Sequence, residues 1–207
     1  MQAQRDTGWF VVVPVKGGTG AKSRLRTAVD DPAVVRAITH DTLAVAAEVV
    51  GADRVVVVTS DPDETSYAVS SGLVVAPDPG RGLDAAASAG VERARSLGAT
   101  SVAVLLGDHP ALARAELREA LEASGRHTSA FVPDADGTGT ALVAVTAAGE
   151  ARFAFGPGSA ARHEALGHVR LDLDLAGLRH DVDDAASLRV AIRDLDLGPR
   201  TRTALGR

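Results

Sequence analysis

The run Val104-Leu105-Leu106-Gly107-Asp108-His109-Pro110 carries an apolar strand straight into a lone carboxylate. Strand ends of this kind form the ligand edge of an open α/β sheet, and a carboxylate there suits a hard divalent cation. Gly107 permits close backbone approach, and Pro110 stops the strand. The competing role for Asp108 is to cap the helix that follows, which Asp often does. A second acidic group lies at 179–184, Arg-His-Asp-Val-Asp-Asp. If that segment is extended, alternation puts Asp181 and Asp183 on the same side. Together with Asp108 they could hold one or two magnesium ions, the arrangement that in-line phosphoryl or nucleotidyl displacement uses. Helix capping by Asp183 or Asp184 is the alternative use of that run.

Two further loops carry the complementary charge. Lys16-Gly-Gly-Thr-Gly-Ala-Lys22-Ser-Arg24 follows the first apolar run. It is not a Walker loop, because Ala21 and Lys16 stand where that motif requires glycine. Nor is it a dinucleotide fingerprint, because Ser23 holds the place of the third glycine. A Gly-rich loop with the cations Lys16, Lys22 and Arg24 remains, able to wrap a triphosphate or to stand as a solvated turn. The second loop, Phe155-Gly-Pro-Gly-Ser159 followed by Arg162-His163, offers free backbone amides at a helix start, an anion-binding arrangement.

These residues need a frame, and the apolar periodicity supplies one. Strands are expected at Trp9 to Val15, Arg54 to Thr59, Leu73 to Ala76 and Ser101 to Leu106. Helices alternate with them over Asp30 to Val50, from near Asp61, and over Leu83 to Leu97, which calls for a mostly parallel sheet. A helix at Ala113 to Ser124 follows. Strands Ser129 to Pro133 and Thr140 to Val145, flanking Asp136-Gly-Thr-Gly, have hairpin spacing. A helix at Ala160 to Leu166, a strand at Val169 to Leu173 and a helix at Asp184 to Leu195 complete the pattern, with a peripheral tail beyond Gly198. The expected ligand edge therefore gathers the loops Lys16 to Arg24, Thr59 to Asp61, Pro77 to Asp84, Gly107 to Pro110, Asp136 to Thr140 and Phe155 to His163.

At 207 residues the chain makes a single α/β domain, 1–207, with a full core. Hydrophobic residues are 45% but aromatics only 3%, so Val, Leu and Ala build that core. There is no cysteine, which excludes disulfides and thiolate metal sites and fits a reducing, cytoplasmic setting. The six histidines lack the spacing of a zinc site. A net charge of -5 without a basic, aromatic-interleaved block argues against nucleic acid as partner. No apolar run reaches the roughly 18 residues of a membrane span, and no membrane partner is expected.

Taken in order, these motifs resemble the guanylyltransferases of the deazaflavin coenzyme F-420 pathway. Pro14-Val-Lys16 with Ala21-Lys-Ser-Arg-Leu25, Gly107-Asp-x-Pro110, Gly137-Thr-Gly-Thr140, Phe155-Gly-Pro-x-Ser159, Arg162-His163 and Asp181-Val-Asp183 carry the likeness over nearly the whole chain. The resemblance implies a three-layer, Rossmann-like GT-A nucleotidyltransferase fold with an antiparallel hairpin insertion. It also implies Mg2+ and the substrates GTP and a small phosphorylated three-carbon acid: phosphoenolpyruvate, with 2-phospho-L-lactate or 3-phosphoglycerate as alternatives. The product would pass to a downstream transferase. By the same carry-over Asp108 and Asp181 are metal ligands, Lys16 contacts phosphate, and Thr140, Gly156 and Ser159 hold the acceptor. Where the family usually has Leu-Asn, this chain has Leu83-Asp84, an anion able to accept from guanine N1 and N2. A sugar-phosphate or molybdenum-cofactor nucleotidyltransferase, and a non-catalytic GTP-binding module, are the competing readings.

Overall fold

The structure is a computed structural model and describes residues 8–15, 32–147 and 149–207. Its frame is a seven-stranded sheet: β1 (Trp9–Pro14), β2 (Val55–Val58), β3 (Val74–Ala76), β4 (Ser101–Leu105), β5 (Ser129–Pro133), β6 (Thr140–Val145) and β7 (Val169–Arg170). Their order across the sheet is β3-β2-β1-β4-β6-β5-β7. Strand alternation sorts the valines. Val11, Val13, Val55 and Val57 face one layer, with Leu43, Ala46 and Val49 of α1 (Pro32–Val50) and Leu117 and Leu121 of α4 (Arg114–Ser124). Val12, Val56, Val58 and Val104 face the other, with Ala86, Ala87 and Val91 of α3 (Leu83–Ser96). Both faces of the central strands are dry, which is why these strands read as unbroken apolar runs.

β6 runs against both β4 and β5, while β5 and β7 pair in parallel, so the expected hairpin is present and β6 lies between its partners. The connection is fixed by Asp134, whose carboxylate accepts from Thr138 N (3.0 Å) and Gly139 N (2.9 Å). A Cβ at Gly139 would lie 2.2 Å from that carboxylate, so a side chain there would displace it. α2 (Pro62–Ser70) begins where expected: Asp61 caps it by accepting from Asp63 N and Glu64 N.

Helix α3 rides unusually low on the sheet. A Cβ on Gly90 would stand 2.2 Å from Val12 Cγ1 and 2.7 Å from Val58 Cγ2. That close approach brings the start of α3, with Leu83 and Asp84, down toward the sheet's ligand edge.

The C-terminal half differs from expectation in three places. β7 spans two residues instead of Val169 to Leu173, because past Leu171, whose N donates to Phe131 O, pairing ends. Helix α5 (Ser159–Ala165) precedes β7, and a short helix, α6 (Ala176–Arg179), follows it, too brief to show periodicity. The tail is not peripheral. After α7 (Ala185–Asp194), helix α8 (Pro199–Ala204) docks on α1, where buried Asp41 accepts from Arg200 N (3.2 Å) and Thr201 N (2.8 Å). Leu197 joins Val34, Ile38, Val182 and Leu188 in a third apolar cluster. A carboxylate in α1 and a helix start far along the chain satisfy one another, a pairing that apolar periodicity does not register. Among the described residues no helix is long and apolar enough to cross a membrane.

Candidate functional site

Asp108 follows β4 and is 6% exposed. The turn that presents it is held from below by α1: Thr39 Oγ1 donates to Gly107 O (3.0 Å) and Thr42 Oγ1 to His109 O (3.2 Å). From the side, Val182 N donates to Asp108 O at 3.0 Å, joining the two acidic segments by their main chains. Val182 is sealed in the third apolar cluster, so its neighbours Asp181 and Asp183 turn the other way. One carboxylate oxygen from each of Asp108, Asp181 and Asp183 lies within 4.8 Å of the others, a set that could hold a metal ion. Three converging anionic oxygens, one of them buried, suit a hard divalent cation rather than a softer one.

The competing capping roles fall to other residues. Helix α4 has Ala113 at its N-cap, and Glu116 serves the first turn by accepting from Ala113 N (3.0 Å), so Asp108 does not cap it. Asp184 caps α7, accepting from Ser187 N (2.8 Å) and Ala186 N (2.9 Å). The hydrogen bonds it receives from Ser187 lower its pKa below the usual carboxylate range.

A cleft of about 260 Å³ opens beside Asp108, lined among others by Pro14, Val15, Thr39, Leu83 and Ala86. Lys16, Lys22 and Arg24 lie outside the described residues. Asp84, expected to meet a nucleobase, has its Oδ1 on Phe155 N at 2.8 Å. It therefore ties the start of α3 to the Phe155-Gly-Pro loop and leaves Oδ2 for another donor. This contact across 71 positions has no signal in the sequence.

The proposed acceptor residues meet around a histidine. Thr140 Oγ1 and Ser159 Oγ are 3.0 Å apart, and Thr140 Oγ1 is 2.9 Å from His163 Nδ1. All three are buried. Gly156 keeps φ at 109°, a conformation that favours glycine. Arg162 does not project charge outward: its guanidinium donates to the carbonyls of Ala154, Phe155 and Pro157 and so shapes the loop. His163 adds no charge either. Burial, with lesser contributions from His168 and Arg162, lowers its pKa from 6.5 to about 4. Burial lowers that of His168 as well.

These shifts have a measurable sign. The unfolded chain takes up protons at the histidines near pH 6.5, whereas folded His163 resists until about pH 4. Stability is therefore full above about pH 6.5 and falls as the pH drops toward 4. Urea unfolding at pH 7 and pH 5 is expected to give a lower free energy at pH 5, with a weaker decline in His163→Asn. Equal pH slopes in the two proteins would rule this out.

Residues 32–172 match the family model of the MobA-like NTP transferase domain. The chain is 43% identical to a phosphoenolpyruvate guanylyltransferase of Sanguibacter keddieii, over 96% of this chain and 84% of that one. It is 42% identical to the enzyme of that name from Streptomyces coelicolor, over 96% of both. In three dimensions it resembles a protein from Desulfovibrio desulfuricans G20 assigned as a nucleotide-diphospho-sugar transferase. The TM-score is 0.64 at 15% identity, covering 95% of this chain and 97% of that one. It also resembles a nucleotidyl transferase from Methanothermobacter, with TM-score 0.54 at 20% identity over 89% and 96%. At those identities the likeness concerns the fold.

Proposed function

Because the chain belongs to the phosphoenolpyruvate guanylyltransferases, built on a MobA-like NTP transferase domain, we propose that it joins GMP from GTP to phosphoenolpyruvate. The products are enolpyruvoyl-2-diphospho-5'-guanosine and pyrophosphate. The observation that carries this reading at the level of chemistry is the convergence of Asp181 and Asp183 on Asp108, which lines the cleft. A magnesium ion held by them would supply charge neutralisation for the phosphates.

In this proposal a phosphate oxygen of the acceptor forms a bond to the α-phosphorus of GTP. The bond from that phosphorus to the bridging oxygen breaks in line, and its electrons leave with pyrophosphate. The acceptor phosphate is already ionised at neutral pH, so no general base is needed. The chain's part is placement and charge. Lys16, Lys22 and Arg24 are assigned to the triphosphate, and Asp84 Oδ2 to the guanine edge. Thr140, Gly156 and Ser159 are assigned to the acceptor acid. The same proposal places the enzyme in the cytoplasm, in coenzyme F-420 biosynthesis, handing its product to the next transferase.

Pyrophosphate release is the test, run with GTP, ATP or CTP against phosphoenolpyruvate, 2-phospho-L-lactate, 3-phosphoglycerate and a hexose 1-phosphate. The downstream transferase is added to trap the product. Release is expected with GTP and phosphoenolpyruvate. Preference for another acid or a sugar phosphate, or GTP binding with no release at all, overturns the assignment.

A further inference from the structure

We propose that His163 is a positioning residue of the acceptor site: its Nδ1–H leaves the Thr140 and Ser159 hydroxyl pair with one proton to donate to an anionic oxygen of the acceptor acid. This rests on the assignment of Thr140 and Ser159 to the acceptor made above.

Counting protons gives this result. Ala154 N donates to His163 Nε2 at 3.0 Å, so Nε2 presents its lone pair. A neutral imidazole has one donor and one acceptor, and the proton therefore sits on Nδ1, facing Thr140 Oγ1 at 2.9 Å. Ser159 Oγ–H also donates to Thr140 Oγ1, at 3.0 Å. The two hydroxyls own two protons. One bridges them, and with Nδ1–H also donating inward, the other is left over. Reversing the hydroxyl–hydroxyl bond changes which residue holds the spare proton, not the number. In the opposite tautomer Nδ1 would consume that proton, and the pair would have none to give.

The surroundings hold this state in place. The His163 ring lies 5.7 Å from Phe131, 5.2 Å from Phe155 and 5.4 Å from His168, and is fully buried. Burial disfavours the imidazolium, in which both nitrogens would donate and Nε2 would confront the Ala154 N–H. The pair also sits at the right edge. Leu105 pairs with Leu142, and Leu106 N donates to Ala141 O (3.5 Å), which sets Thr140 across from Gly107, next to Asp108. A pair of hydroxyls with one proton to donate suits a carboxylate or phosphate oxygen, which only accepts.

Two substitutions separate this role from simple packing. Asparagine places a carboxamide N–H near the Nδ1 position but does not reach Ala154. Glutamine places its oxygen near Nε2, keeping the Ala154 bond and more of the ring's volume but losing the inward donor. Initial rates at varied phosphoenolpyruvate are expected to give His163→Gln a KM raised about 10-fold or more, the effect of losing a hydrogen bond to a charged group. His163→Asn is expected to show the smaller rise, and the KM for GTP to hold in both. A packing role predicts that glutamine is the better substitute; that order, or equal rises for both substrates, overturns the inference. Ring 15N chemical shifts of the unaltered protein decide the matter if neither variant folds. The Nδ1–H tautomer of His163 is expected, and the Nε2–H tautomer refutes the relay. If the unaltered enzyme fails to turn over phosphoenolpyruvate, the assignment of the site falls first; the Asn-to-Gln order bears on His163 alone.

Discussion

Asp108→Asn is expected to lower turnover by at least about 10²-fold, the scale seen when one key electrostatic group is lost from a dry site. The substitution keeps the shape of a residue that is 6% exposed at the end of β4. The bonds that place it, from Val182 N to Asp108 O and from Thr39 Oγ1 to Gly107 O, involve the main chain and persist. What goes is one of three anionic oxygens within 4.8 Å of one another. Without a cation these oxygens repel, so the variant's melting temperature in chelator should be no lower than that of the unaltered protein. With magnesium the order reverses. At a concentration about 100-fold above Kd, the cation stabilises by about 2.7 kcal/mol, equivalent to about 5–10 °C for a domain of this size. Most of that gain is expected to vanish in Asp108→Asn. Near-normal turnover at saturating magnesium, or an undiminished thermal gain, would remove the carboxylate from the metal site.

Gly90→Val is expected to be strongly destabilising. Even the Cβ of alanine would stand 2.2 Å from Val12 Cγ1 and 2.7 Å from Val58 Cγ2. Both valines are fully buried with stiff branched side chains. Overpacking of this kind costs about 1–3 kcal/mol and sometimes more, while leaving glycine regains no more than about 1 kcal/mol of helix propensity. Valine adds two further methyl groups. A loss of about 3 kcal/mol is expected, seen as a fall of about 6–12 °C in Tm. The kinetic signature follows from position. The displaced helix carries Leu83 and Ala86 of the cleft wall and Asp84, whose carboxylate holds Phe155 N. The KM values for GTP and for the acid should therefore both rise. An unchanged Tm would show that α3 can lift without cost.

The acidic centre was legible in the sequence because it obeys two local rules. Buried strands deliver residues to the ligand edge, and alternation turns Asp181 and Asp183 away from the sealed Val182. The sheet was legible for the same reason, since Val-rich runs without polar breaks announce strands covered on both sides. What escaped is long-range and polar. Residue type marks His163 as a charge, but its neutrality comes from burial among Phe131, Phe155 and His168. Asp84 reads as a free anion until Phe155 N arrives opposite it. The threonines Thr39 and Thr42 look like ordinary helix surface, yet their hydroxyls hold the turn that carries Asp108.

The docking of α8 on α1 bears on the order in which the molecule is assembled. Asp41 and Thr201 stand 160 positions apart, yet each is buried against the other. A growing chain that has already formed the sheet through β7 still carries Asp41 with its main-chain donors not yet made. Helix α1, which supports the Asp108 turn, is itself held at Asp41 by residues 200 and 201. Closure over so long a separation is slow relative to local contacts. The footing of the acidic centre thereby depends on a contact made 160 positions downstream of Asp41.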